Sequence, residues 1–327
     1  MSQQGLSLDF LAKVPEAYRR IEADIRRTPL ERSGPLSREF GADVHVKWEC
    51  DQITGSFKLR GALNKLRSLA PEERARGVVS ASTGNHGLAI SHAAKLEGIG
   101  LMLFLPETVA AVKKTRIEAL GVDVEVAGES CDRAEAIARE FAARHGRVFV
   151  SPYNDRDIVF GAGTTGLELA AGLSRFDDVL VPVGGGGLIA GIAGYLKAVR
   201  PGVRVVGVEP ETSAFMAASL AAGRLVGIDE RESVADAVAG GIEPGSITFP
   251  LCRDLVDAIE VVPEALIVRA LALIRERHGR MIEGAGALPV AALLHAPEQW
   301  AGRTVVVVAS GGNISPERFR AATGLLP

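Results

Sequence analysis

The run Val179-Leu180-Val181-Pro182-Val183 carries no polar side chain, and it passes directly into Gly184-Gly185-Gly186-Gly187 and a helical pattern from Leu188 to Val199. A short continuous apolar run bounded by glycine reads as a strand buried on both faces, the habit of parallel sheets covered by helices. The unit recurs. Val78 to Ala81, Leu101 to Leu105, Val122 to Val126 and Val148 to Val150 read as strands. They alternate with helical stretches through Ala89 and Ala94, from Ala110 to Leu120 and from Cys131 to His145. Val203 to Val208 and Thr304 to Ala309 are further strands, and Ser213 to Ala222, Pro263 to His278 and Glu283 to His295 further helices. Such alternation predicts an α/β fold of parallel twisted sheets flanked by helices. A helix is also expected from Pro15, which would open it, to Arg26. The charged connector Pro71-Glu72-Glu73-Arg74-Ala75-Arg76-Gly77 reads as a hinge. Residues 1–72 and 154–327 then make a large domain, and 73–153 a small α/β domain inserted in it.

Composition narrows the partners. A chain of 327 residues with 47% apolar content has material for two cores. A net charge of −3 without a basic block argues against nucleic acid. No apolar run reaches membrane-spanning length, and the N-terminus lacks a signal-peptide core. Cys50, Cys131 and Cys252 are scattered with no CxxC, which suits a reducing compartment and not a zinc site. The expectation is a cytoplasmic protein.

Four stretches carry chemistry. The N–H groups of Gly184 to Gly187 can converge on one phosphate, and the start of the following helix favours an anion. No Walker lysine follows, so a nucleoside triphosphate is not indicated. In Gly55-Ser56-Phe57-Lys58-Leu59-Arg60-Gly61-Ala62, Ser56 reads as an N-cap and Lys58 as part of the first helical turn. A helix N-terminus disfavours a cation, so a lysine there is a candidate for chemistry; a solvated surface lysine is the bland alternative. Ser82-Thr83-Gly84-Asn85-His86 opens a helix after a strand, and its free N–H groups and hydroxyls suit a carboxylate. An empty N-cap reads equally well, and His86 alone is a helix-face residue rather than a base. Ser310-Gly311-Gly312-Asn313 ends the last strand with a hydroxyl at the carboxyl edge of the sheet, though alone it is an ordinary turn. Gly161-Ala162-Gly163-Thr164-Thr165-Gly166 matches the dinucleotide fingerprint as a string. Asn154-Asp155-Arg156-Asp157 precedes it in place of a strand, so it reads as a helix start and not a nicotinamide site. A phosphorylated aldehyde cofactor that reacts with lysine, together with an amino-acid substrate, would use all four stretches.

With these motifs side by side, the sequence resembles the pyridoxal-phosphate enzymes of the tryptophan-synthase-β type (fold type II), nearest the serine/threonine dehydratases and serine racemases. The resemblance spans nearly the whole chain and rests on Ser56 to Ala62, Ser82 to Gly87, Gly184 to Gly187, Glu209-Pro210 and Ser310 to Asn313. It implies pyridoxal 5'-phosphate as cofactor, a small amino-acid substrate and a homodimer. It implies that Lys58 forms the Schiff base and acts as general base, with Phe57 packed beside it. Asn85 would bond the ring's phenolic oxygen, and Gly184, Gly185, Gly186, Gly187 and Leu188 would hold the phosphate. Ser310 and Gly311 would face the pyridine nitrogen, with Glu283 nearby. The segment Ser82, Thr83, Gly84, Asn85 and His86 would take the substrate carboxylate.

The implied activity is elimination of water from L-threonine or L-serine to give a 2-keto acid and ammonia. A neutral serine opposite the pyridine nitrogen weakens the electron sink, which favours prompt loss of the β-hydroxyl over transamination. Thr83 stands where serine racemases of the group carry the serine that works on the opposite face of the substrate. Phe215 stands where the group's divalent-cation site has an aspartate, so no metal is expected. Asp236-Ala237 replaces an aspartate-glycine pair. A racemase, dehydratases of ectoine breakdown, of hydroxyaspartate or of phenylserine, and a non-catalytic binding module are the alternatives.

Overall fold

The computed structural model describes residues 3–109 and 111–326, the side chains of 3–9, 112, 113 and 116 excepted. Among the described residues ten strands form two sheets. They are β1 (Leu30–Arg32), β2 (Asp43–Lys47), β3 (Val78–Ala81), β4 (Leu101–Leu105), β5 (Asp123–Val126), β6 (Val148–Phe149), β7 (Asp178–Pro182), β8 (Arg204–Pro210), β9 (Ala258–Val262) and β10 (Thr304–Val308). The larger sheet has the order β1-β2-β10-β7-β8-β9 and the smaller β5-β4-β3-β6. Every pairing is parallel except β1 with β2 at the edge.

Alternation along the strands separates two layers of core. Leu180, Val206, Val305 and Val307 face one side and pack on Leu271, Ile274 and Leu288. Val179, Val181, Val205, Val306 and Val308 face the other and pack on Ile189 and Ile192 of the Gly187–Val199 helix. The apolar runs are therefore buried on both faces, as their composition requires. A third cluster joins Leu59, Leu63 and Leu66 of the Lys58–Ser68 helix to Leu88, Ile90, Leu101 and Leu103. The lysine helix thus packs on the Asn85–Glu97 helix that follows β3, and on the Arg156–Gly172 helix, while the loop before it is bridged to the end of the larger sheet.

The expectations at Pro15 and at Gly161–Gly166 are corrected. Pro15 lies inside the Gln3–Ile21 helix and does not open it, and that helix ends before Arg26. Phe10, Val14, Ala17 and Ile21 are all buried at helical spacing, and this packing outweighs the cost of an interior proline, about 3 kcal/mol. The connector expected as a hinge, 71–77, is helical over Pro71–Arg76. Proline at its first position and the Glu73 carboxylate accepting from Ala70 N at 2.9 Å explain the helix. The expected helix start at Ala110 lies outside the described residues; Ala111–Glu118 is helical.

Gly161–Gly166 is also not a helix start. It lies in the middle of the Arg156–Gly172 helix, which Asp155 caps by accepting from Asp157 N at 2.8 Å and Ile158 N at 3.2 Å. The glycines let helices touch. A Cβ on Gly161 would lie 2.5 Å from the Arg60 carbonyl, and one on Gly191 would lie 2.6 Å from Gly163 N. Gly191→Ala is therefore expected to destabilise the protein by about 1–3 kcal/mol. Urea unfolding of the variant beside the wild type checks this, and an unchanged midpoint would contradict the close packing.

Candidate active site

The site grows from the carboxyl ends of β10, β7 and β3, where an open parallel sheet leaves backbone groups free for ligands. The lysine loop is docked to the end of β10 by its backbone. Phe57 N donates to the Ser310 carbonyl at 3.1 Å, Gly312 N donates to the Gly55 carbonyl at 2.9 Å, and Ser56 forms an antiparallel bridge with Gly311. Gly55 has φ +77°, and a Cβ there would lie 2.6 Å from Asn313 Oδ1, so only glycine makes this turn. Ser56 consequently does not cap the helix. Phe57 occupies the cap position without a side-chain bond, and the Ser56 hydroxyl is buried with no partner among the described residues.

Lys58 is the first residue of its helix. Its Nζ donates to the Pro152 carbonyl at 2.9 Å and lies 5.1 Å from the Phe57 ring centroid. Burial lowers its pKa to about 8, against a pull upward from the Glu283 charge. Glu283 moves the other way, to about 7, because burial penalises its charge and Asp236 adds to that, while the bond from Asn85 opposes it. Asn85 Nδ2 donates to Glu283 Oε1 at 2.7 Å, and Asn313 Nδ2 donates to Asn85 Oδ1 at 2.7 Å. Asn85 is thereby held from both ends.

Phe57, Lys58, Asn85, Gly184, Gly185, Gly186, Gly187, Leu188, Glu283 and Ser310 all line one cleft with about 470 Å³ of empty space, part of it open to solvent. Ser82, Thr83, Gly84, His86 and Gly311 are not part of that lining. Ser82 Oγ accepts from Gly84 N at 3.2 Å. The His86 ring turns inward to Ser80 Oγ at 3.0 Å and the Val150 carbonyl at 3.3 Å. Burial, with the Lys58 charge second, holds its pKa down at about 3, so it is neutral. Gly311 lies behind the cleft, where a Cβ would strike Glu283 Oε1.

Tyr153, which was not anticipated, also lines the cleft, as do Ala237 and Val238 of the loop that begins with the Asp236-Ala237 pair. The Tyr153 ring packs on the glycine loop, where a Cβ on Gly185 would sit 2.5 Å from its Cε1. Its hydroxyl accepts from Glu243 N at 2.9 Å. Ser151-Pro152-Tyr153-Asn154 follows β6, and the carboxyl end of a parallel strand was the available signal.

The residues fit a phosphorylated aldehyde. The Gly187–Val199 helix starts at Gly186, with φ +84° and no side-chain cap, so its first N–H groups are left for an anion. A buried amine of lowered pKa and the strand-end hydroxyl of Ser310 share the same cleft. Residues 21–311 match the family described as pyridoxal-phosphate dependent enzyme. The chain belongs to that family. Among relatives of this pyridoxal-phosphate enzyme, it is 40% identical over 304 residues to an L-threonine ammonia-lyase of Thermotoga maritima, covering 93% of this chain and 75% of that one. It is 37% identical over 313 residues to L-threonine dehydratase catabolic TdcB of Escherichia coli, covering 95% of each. Among solved structures, processed threonine deaminase isoform 2 from Solanum lycopersicum matches with a TM-score of 0.92 and 30% identity, covering 99% of this chain and 94% of that one. Maize serine racemase matches with a TM-score of 0.90 and 32% identity, covering 95% and 96%.

Glu209 serves the fold. Its carboxylate accepts from Met216 N at 2.9 Å and Ala217 N at 2.7 Å at the start of the Phe215–Ala222 helix, and burial raises its pKa to about 7. Among the described residues no group of three or more His, Cys, Asp or Glu is placed to hold a metal ion, and no helix is long and apolar enough to cross a membrane.

The Glu283 shift has a consequence for stability. Between its ordinary 4.5 and about 7, the folded protein keeps a proton that the unfolded chain has lost. This group's contribution to stability therefore falls as pH rises through that window, by on the order of 3 kcal/mol. Lys58, held low, acts in the opposite sense between about 8 and 10.5. Denaturant unfolding of cofactor-stripped wild type and Glu283→Gln across the acidic window should show the slope flattened in the variant. Parallel slopes would refute the assignment.

Proposed function

We propose that the chain is a pyridoxal-phosphate-dependent ammonia-lyase that removes water from L-threonine or L-serine to give a 2-keto acid and ammonia. The observation that carries this is the buried Lys58 amine, of lowered pKa, lining one cleft with the Gly184–Gly187 loop and Ser310. Relatives near 40% identity that bear the name L-threonine ammonia-lyase or dehydratase support the same reaction.

When bound, pyridoxal phosphate supplies an aldehyde for a lysine amine and an electron sink for the substrate's α-carbon. Lys58 Nζ would hold it, and Gly184 to Gly187 with Leu188 would receive its phosphate. Asn85, fixed between Glu283 and Asn313, presents an amide to the phenolic oxygen. Ser310, with Gly311 beside it, would offer the pyridine nitrogen a neutral hydroxyl partner. A pKa of about 8 leaves part of Lys58 as free amine near neutral pH, so Nζ serves as general base toward the α-proton. The uncapped start of the Asn85–Glu97 helix, from Ser82 through Thr83 and Gly84 to His86, receives the substrate carboxylate. Phe57 closes one wall.

The proposal extends to organisation. Residues 1–72 and 154–327 make the cofactor domain and 73–153 the small domain. All strands of the smaller sheet fall between 78 and 149, which supports the division. A homodimer in the cytoplasm accords with the family resemblance, and three scattered cysteines with no CxxC accord with a reducing compartment.

Purified protein should bind pyridoxal phosphate with a visible absorption band and release 2-keto acid from L-threonine. Lys58→Ala should lose the band and lower turnover by about 10²–10⁴-fold or more. Full turnover in that variant would sink the proposal. Incubation with L-serine separates elimination from racemisation: pyruvate is expected, and D-serine without pyruvate would reverse the assignment.

A further inference from the structure

Two residues beyond Lys58, the Arg60 guanidinium is wholly buried in a cluster of four charged side chains with Lys47, Glu49 and Glu168. Both of its edges are occupied. Nε and Nη2 donate to the two oxygens of Glu49, each at 2.8 Å, and Nη1 and Nη2 donate to the two oxygens of Glu168 at 2.8 and 2.9 Å. Nη1 also reaches Thr164 Oγ1 at 3.2 Å. Lys47 Nζ donates to Glu168 and to the Thr28 carbonyl, and Thr28 Oγ1 donates to Glu49 Oε1 at 2.6 Å. Two cations balance two anions, and none of the four lines the cleft.

Burying four charges is a poor route to stability, because desolvation offsets most of the attraction. The cluster instead defines an orientation. Residues two apart on a helix point roughly 200° from each other, so anchoring Arg60 on one side turns Lys58 toward the other. The anchor is referenced to the cofactor side of the sheet. Lys47 pairs with Val308 of β10, and its carbonyl accepts from Ala309 N at 2.9 Å, one residue before Ser310. Glu168 belongs to the Arg156–Gly172 helix, which touches the lysine helix where Gly161 faces the Arg60 carbonyl. From this juxtaposition we infer that Arg60 is a positioning residue for Lys58: its two-carboxylate clamp sets the rotation of the lysine helix and so the place of Nζ relative to Ser310. The inference rests on the reading of Lys58 given above.

The test uses the full-length protein loaded with pyridoxal phosphate, and the variants Arg60→Lys, which keeps the charge and loses the planar fork, and Arg60→Met. An ångström of misplacement costs about 100-fold, so kcat per bound cofactor for L-threonine should fall by that order in R60K. KM should stay within about threefold, since the cleft's own groups are intact. R60M should do no better. A purely structural role would lower the melting temperature and leave kcat per bound cofactor unchanged, and that result overturns the inference. If neither variant folds, Glu49→Gln, which keeps the side chain's shape, must show the same loss in kcat; wild-type kcat there overturns it equally. In the same proteins stripped of cofactor, acylation of the Lys58 amine, read by mass spectrometry, reports orientation without turnover. Faster labelling in the folded variant than in wild type is expected, and equal rates refute the clamp. Failure of the functional reading would show instead in the wild type, as protein that takes up no pyridoxal phosphate.

Discussion

The pairing of the lysine loop with the end of β10 is the contact on which the site depends. Lys58 and Ser310 lie 252 positions apart in the numbering, yet Phe57 N and the Ser310 carbonyl are hydrogen-bonded at 3.1 Å. Backbone pairing of this kind has little freedom in register. It brings the amine and the strand-end hydroxyl to one edge of the larger sheet, while the remainder of the lysine helix packs on the Asn85–Glu97 and Arg156–Gly172 helices. Among the described residues, the same loop leaves the helix without a side-chain cap and Lys58 with only a backbone carbonyl as its hydrogen-bond partner.

Burial tunes Lys58 and Glu283, two ionisable groups of the site, toward each other. Lys58 is pushed down to about 8 and Glu283 up to about 7. Desolvation is the larger cause for each, because it penalises whichever form is charged. The result is an amine that is partly neutral and a carboxyl that is partly protonated near neutral pH. Groups so tuned can each change protonation near neutral pH. His86 illustrates the contrast: deeper in the interior, it remains neutral and is bonded to Ser80 and Val150.

Periodicity and glycine placement made most of the architecture legible. The buried strands appear as apolar runs, and the glycine loop after β7 lies where an α/β fold leaves an uncapped helix start. Gly184 and Ser310 each follow such a run, and Lys58 opens a helix after a glycine turn. Misreadings arose where distant packing overruled local propensity. Pro15 is tolerated inside a helix because Phe10, Val14 and Ala17 are buried around it. Ser56 looks like a cap, yet its backbone is drawn into a bridge with Gly311. Gly161–Gly166 reads as a helix start, yet it lies mid-helix as the smooth face on which helices meet. Tyr153 carried no motif, and only the return of the chain after β6 places its ring on Gly185.

The order of strands and helices, the glycine loop and the candidate nucleophile were written in the sequence, because they follow from periodicity and from local backbone chemistry. The convergence of Asn85 with Glu283, the partnering of Arg60 by Glu49 and Glu168, and the inward turn of His86 were decided by tertiary structure alone. These depend on which residues meet across long separations, and the free energy of such a meeting is set by burial and pairing that no local window of sequence contains.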